Sequence, residues 1–221
     1  RLALAQLAEQ QGEQPCVAIC REGLMPLVES VAGSRRAVKA VRTATILSYI
    51  GAAAGVCAIA RKKGVEAYIV KEPGQNPASD MVERLEKLPE YQKVFLSPQD
   101  ALVAADSRAL LVVVDTNRPE QTQVPELLTS GARIVVIDHH RRAASYIEKP
   151  ALSFHDPYAS SASELVAELV QYILDNGDLK RQEAEAMLAG IVLDTKNFTM
   201  RTGSRTFETA AFLRKAGADT A

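Results

Sequence analysis

Two carboxylates close the most apolar runs of this sequence. Asp115 directly follows Leu110-Leu111-Val112-Val113-Val114, and Asp138 follows Ile134-Val135-Val136-Ile137 with His139 and His140 behind it. A third, Asp194, follows Leu188-Ala189-Gly190-Ile191-Val192-Leu193. Carboxylates beside such runs are ordinarily paired, capped or metal-bound, because an uncompensated buried charge is costly. Carboxylate plus imidazole, without thiolate, is a hard-to-borderline ligand set. It suits Mn²⁺ or Mg²⁺, with Fe or Co²⁺ as alternatives. Clustered Asp side chains repel one another unless divalent cations neutralise them. Two such ions about 3.5–4 Å apart activate water and stabilise charge on a phosphoryl group. A lone strand-end Asp is usually a turn or helix cap, and a lone His pair is more often structural. The combination favours the metal reading.

The elements that must position these residues follow from the apolar pattern. Leu110–Val114 and Ile134–Ile137 are continuous apolar runs, the mark of strands buried on both faces. Val65–Val70 predicts a further strand. Helices are expected over Gly51–Lys63, over Ser79–Leu88 with Ser79 as a cap, and over Ser97–Ala105. Val124–Leu128 predicts a short helix or turn. This alternation predicts an α/β fold, a doubly wound and mainly parallel sheet flanked by helices. In such a sheet ligands gather outside the carboxyl ends of the strands, which places Asp115 and Asp138-His139-His140 on one rim.

After residue 150 the pattern turns helical. Ser161-Ala162-Ser163-Glu164 has the capping-box form, and Leu165, Val166, Leu169, Val170 and Ile173 recur at helical spacing up to a stop at Gly177. Two more helices are expected, from Gln182 towards Leu193 and from Thr206 to Lys215. Residues 1–36 carry few strand signals and are expected to be an N-terminal extension or the remnant of a preceding domain, with the main domain over 37–221.

The chain has 221 residues, 47% of them hydrophobic and 24% charged, enough for a sizeable core. Its formal net charge of −1 provides no global field for nucleic acid or anionic membrane, so duplex DNA is not an expected partner. Cys16, Cys20 and Cys57 are few and lack nearby histidine, which predicts reduced thiols and a cytoplasmic location. No run reaches the roughly 18 apolar residues of a membrane span. Ile46–Ala60 is short, rich in small residues and followed by Arg61-Lys62-Lys63. No signal peptide is evident, and Arg1 in place of an initiator Met predicts a piece of a longer chain.

At Val136-Ile137-Asp138-His139-His140-Arg141-Arg142 the sequence resembles the DHH phosphoesterase superfamily. The resemblance continues through Val113-Val114-Asp115-Thr116-Asn117, Pro157-Tyr158-Ala159-Ser160-Ser161 and Leu188 to Lys196. Arg201-Thr202-Gly203-Ser204-Arg205-Thr206-Phe207 looks like the membrane-anchored cyclic-di-AMP phosphodiesterases that carry PAS and degenerate GGDEF domains. The resemblance implies that Asp115 bridges two metals, Mn²⁺ in the family, and that His139 and Asp194 complete the second metal's shell. It implies that Asp138 supports the site and that His140 sits near the scissile phosphate. The implied reaction is metal-dependent hydrolysis of a 3′–5′ phosphodiester, opening a cyclic dinucleotide to a linear one. Short oligonucleotides are the alternative substrate, and a homodimer is compatible with the family. The implied location is cytoplasmic, with the longer parent anchored in the cell membrane.

Two departures qualify that expectation. Ile50-Gly51-Ala52-Ala53 matches the end of the family's first motif, yet Arg42, Ile46 and Ser48 stand where its His and two Asp ligands belong. This describes either a degenerate member, acting as a nucleotide-sensing or scaffold module, or a sequence lacking a stretch of its parent. The intact later motifs favour the second. The sequence also ends where the linker to the family's substrate-binding DHHA1 domain would begin.

Overall fold

The computed structural model describes residues 36–39, 46–71, 79–142 and 144–219. Among them six parallel strands form one sheet: β1 (Arg36–Lys39), β2 (Glu66–Val70), β3 (Phe95–Leu96), β4 (Leu110–Val114), β5 (Arg133–Asp138) and β6 (Leu152–His155). Their order is β3-β2-β1-β4-β5-β6. The direction of winding reverses between β1 and β4, and doubly wound folds place their ligands at such a reversal. β4 pairs with β5 from Leu110↔Arg133 to Val114↔Ile137. β5 pairs with β6 from Val135↔Leu152 to Asp138↔His155. The carboxyl ends of β4, β5 and β6 therefore share one edge.

Every residue of β4 is buried, because apolar layers cover both faces. Leu110, Val112 and Val114 join Val135 and Ile137 of β5 in the larger core. Leu111 and Val113 join Val136, Ala101 and Leu127 in the smaller one. This is the two-residue alternation of a strand serving two cores. Among the described residues the α-helices are α1 (Ile46–Lys62), α2 (Ser79–Glu86), α3 (Pro98–Ala104), α4 (Ala162–Ile173), α5 (Arg181–Asp194) and α6 (Ser204–Lys215).

The small residues of α1 have a packing reason. A Cβ on Gly51 would meet the Ala186 carbonyl oxygen at 2.3 Å, and one on Gly55 would meet Val166 Cγ1 at 2.6 Å. Glycine thus lets α1 approach α4 and α5 closely. Among the described residues no helix is long and apolar enough to cross a membrane. At the far end of the same contact, fully buried Glu183 accepts from Arg61 Nη1 at 2.6 Å and Nη2 at 2.8 Å. It also accepts from the Tyr91 hydroxyl and the Lys180 amide, each at 2.8 Å.

The parallel α/β expectation holds, with three strands added. β1, β3 and β6 go beyond the strands expected from the sequence, and β6 interrupts the helical region expected after residue 150. Arg36, placed in the N-terminal extension, is the first residue of β1, and residues 1–35 of that extension lie outside the described residues. Ser161 caps α4 by accepting from the Glu164 amide at 3.0 Å. The reciprocal half of the box differs, because the Glu164 carboxylate accepts from the hydroxyl and amide of Ser160. α4 ends at Ile173, before the expected stop at Gly177. Cys57 is a buried thiol outside any disulfide among the described residues, while Cys16 and Cys20 lie outside the described residues.

Candidate metal centre

β4 and β5 deliver their carboxylates to the shared edge with little freedom. Asp115 leaves β4 with φ 64°, a left-handed conformation that Asp tolerates better than most residues. Its amide donates to the Ile137 carbonyl at 2.9 Å, locking the turn to β5. Asp138 is fully buried. It accepts from His140 Nδ1 at 2.8 Å and from Asn117 Nδ2. Burial opposes its ionisation, but the His140 and Asn117 hydrogen bonds and the His140 charge outweigh that and lower its pKa.

The His139 ring is fixed from the other side. Its Nδ1 lies 3.3 Å from the Ala159 carbonyl oxygen. A carbonyl only accepts, so Nδ1 carries the proton and Nε2 of the neutral ring presents its lone pair. That Nε2 lies 3.3 Å from Asp115 Oδ1 and 3.8 Å from Asp194 Oδ2. Burial lowers the His139 pKa, but the Asp115 contact and the charges of Asp115, Asp194 and Asp138 raise it overall. Asp194 is the last residue of α5, the end of a helix where the dipole disfavours a carboxylate.

His140 Nδ1 is also 3.9 Å from Asp115 Oδ1. Asp115, His139 and His140 can each present a ligand atom within 4.8 Å of the others. Asp115 Oδ1 is buried with no hydrogen-bond partner, so its 3.3 Å approach to His139 lacks hydrogen-bond geometry. A buried carboxylate oxygen facing an imidazole lone pair needs a cation or a proton between them. The residues present therefore fit a divalent metal, held by Asp115 and His139 with Asp194 and His140 in reach.

The geometry brings Asp115, His139, His140 and Asp194 together, with Asp138 beneath His140. Arg42 lies outside the described residues. Ile46 and Ser48 fall near the start of α1, and their side chains are outside the description. Asn117, for which the sequence expectation holds no role, donates to both Asp138 and the His140 carbonyl, the latter at 3.4 Å. His155, likewise outside that expectation, donates from Nε2 to the His140 carbonyl at 2.5 Å. The Ala159 carbonyl was not foreseen either. It is set by a turn in which the Ala159 amide donates to the Asp156 carbonyl at 3.2 Å. Asp156 Oδ1 accepts from the Tyr158 amide at 2.9 Å, and Asp156 Oδ2 accepts from Arg205 Nη1 at 2.8 Å.

The model of the DHH family, N-terminal domain, matches residues 38–191. The chain belongs to the DHH family. This DHH domain is 45% identical over 176 residues to the cyclic-di-AMP phosphodiesterase PdeA of Listeria monocytogenes, covering 79% of this chain and 27% of that protein. It is 42% identical over 173 residues to the cyclic-di-AMP phosphodiesterase GdpP of Bacillus subtilis, covering 77% of this chain and 26% of that protein. The DHH domain thus spans about a quarter of the length of these relatives. Among solved structures, an exopolyphosphatase-related protein from Bacteroides fragilis superposes with a TM-score of 0.69 at 19% identity. That match covers 91% of this chain and 58% of the other, and it shows the shared fold.

Proposed function

We propose that this DHH domain is the metal-binding half of a phosphodiesterase that opens cyclic-di-AMP to the linear dinucleotide pApA. The observation that carries the reading is the unpartnered, buried Asp115 Oδ1 facing His139 Nε2. The names of PdeA and GdpP supply the substrate. Mn²⁺ is the expected metal from the donor set, with Mg²⁺ or Co²⁺ as alternatives.

In this reading Asp115, His139 and Asp194 hold the metal. When bound, the metal supplies an activated water and neutralises charge on the phosphoryl oxygens. The Ala159 carbonyl keeps His139 in the tautomer that ligates. Asp138 orients His140, whose Nε2 faces away from that hydrogen bond and is free to hold a proton near the scissile phosphate. Asn117 and His155 fix the His140 backbone. The domain acts in the cytoplasm as part of a longer, membrane-anchored protein.

The test follows linear dinucleotide formation by chromatography. The longer protein, with Mn²⁺, is expected to convert cyclic-di-AMP, and the 221-residue chain alone is expected to convert a negligible amount. Absence of conversion by the longer protein with any divalent metal would overturn the enzyme reading. A nucleotide-sensing or scaffold module would then be the better account, and Arg42, Ile46 and Ser48 at the first-motif ligand positions favour it.

A further inference from the structure

Asp194 is the last residue of α5, and its side chain is only 13% exposed. The chain that follows it takes an uncommon course. A helix ordinarily ends on one left-handed residue, most often glycine. Here Lys196, Asn197 and Phe198 are left-handed in succession, with φ of 46°, 56° and 61°. Asn tolerates that conformation, but Lys and the aromatic Phe adopt it only where their surroundings hold them there.

Two anchors hold this turn. Thr195 is fully buried, and its hydroxyl serves both as donor and as acceptor. Oγ1 donates back to the Ile191 carbonyl at 2.7 Å and accepts from the Phe198 amide at 3.0 Å. The backbone closes around it. The Asn197 amide donates to the Val192 carbonyl at 2.8 Å, and the Thr199 and Met200 amides both donate to the Thr195 carbonyl at 2.9 Å. The second anchor is Phe198, which packs against the larger core and stacks on Phe207 of α6 with ring centroids 5.5 Å apart. Two residues before Phe207, Arg205 holds Asp156 and with it the turn behind His139. α6 thus stands behind the imidazole and the carboxylate at once.

A helix end with no further task would need none of this, since one glycine stops a helix without strain. Asp194 does have a reason to be held. The dipole at the end of α5 disfavours its charge, and the neighbouring Asp115 repels it, so a loose carboxylate would swing towards water. It stays instead with Oδ2 3.8 Å from His139 Nε2. We propose that Thr195 is a positioning residue for the metal centre. Its hydroxyl, with the Phe198–Phe207 stack outside it, holds the left-handed turn that keeps Asp194 aimed at His139 and Asp115. Neither Thr195 nor Phe198 touches the metal. The inference rests on the metal-binding reading above and adds what fixes its third ligand.

Mn²⁺ binding to the 221-residue chain, read from the free-ion signal by electron paramagnetic resonance, tests this without turnover. Thr195→Val keeps the shape of the side chain and removes the hydroxyl, and should weaken Mn²⁺ binding per folded molecule by about 10–100-fold. Thr195→Ser keeps the hydroxyl and should restore most of the affinity. Arg61→Ala, which destabilises the fold far from the turn, should leave the affinity unchanged and so controls for lost stability. Phe207→Ala loosens the same turn from the surface and should weaken binding by about tenfold at most, with Phe207→Tyr retaining it. It decides the claim if Thr195→Val does not fold. Wild-type affinity in a folded Thr195→Val variant, or a Thr195→Ser variant as weak as Thr195→Val, would overturn the proposal. A wild-type chain that binds no Mn²⁺ would sink the metal reading and this inference with it, whereas binding that survives the Thr195 change sinks only the role of the turn.

Discussion

His140 Nδ1 lies 2.8 Å from Asp138 Oδ1, while Asn117 Nδ2 donates to the other oxygen of the same carboxylate. One fully buried side chain thereby aligns the imidazole and the loop that follows β4. Asp138→Ala leaves the buried Asn117 amide only its long 3.4 Å bond to the His140 carbonyl, a loss of about 1–3 kcal/mol. The Asp138 pKa is depressed in the fold. Its stabilisation is therefore present above the unfolded value of about 3.9 and is lost as pH falls through the lower folded value. Urea denaturation at pH 7 and pH 3 should show the penalty of Asp138→Ala shrinking at the lower pH. An equal penalty at both would count against the role of the ionised carboxylate.

The pKa of His139 moves the other way, upward. In the metal-free protein its protonated ring contributes stability below the ordinary value of about 6.5, and loses it as pH rises through the raised folded value. A metal must displace that proton from Nε2. Mn²⁺ affinity should therefore fall about tenfold per pH unit below the folded pKa. Calorimetric titrations across pH 5.5–8.5 read this slope, and a flat profile would exclude His139 as a ligand.

Glu183 predicts a purely structural effect. Arg61→Ala strands its buried carboxylate, and breaking a buried pair costs about 3–5 kcal/mol. The lower end is expected, because Tyr91 and the Lys180 amide remain as donors. Chemical denaturation measures the loss, and Mn²⁺ affinity per folded molecule should not change. A loss under about 1 kcal/mol would show that the pair is solvent-screened.

Much of this was legible in the sequence, and the gaps have physical causes. β4 and β5 announce themselves because strands covered on both faces must be apolar throughout. β6 alternates Leu152 and Phe154 with Ser153 and His155 at a sheet edge, and β3 is two residues long. β1 is Arg-Ala-Val-Lys, too short and too charged for its pattern to reveal a central position. Within the site, Asp115, Asp138, His139 and Asp194 stood out because charge follows a buried run. The Ala159 carbonyl could not stand out, since every residue has one and only its turn decides its aim. His155 was hidden because its strand was.

Arg205 reaches the candidate metal centre through that turn. It holds Asp156, which organises the turn carrying the Ala159 carbonyl, and it also holds Glu168 through Nη2 at 2.7 Å. Residues that orient a metal ligand from behind typically change affinity about 10–100-fold. Arg205 is one step further out, so Arg205→Ala should weaken Mn²⁺ binding by about tenfold at most. Arg205→Lys should restore part of it. Unchanged affinity in Arg205→Ala would show that the turn holds without the clamp.

The central claim is that Asp115 and His139 hold a divalent metal, and Asp115→Asn tests it most directly. Asn keeps the left-handed backbone at this position accessible and removes the charge. Binding is read from the free Mn²⁺ signal by electron paramagnetic resonance, alongside a thermal melt without metal. The account predicts one weak saturable site in the wild-type chain, its loss in Asp115→Asn, and, at a pH where His139 is neutral, a higher metal-free melting temperature for the variant. Wild-type Mn²⁺ binding in a folded Asp115→Asn variant would contradict the account.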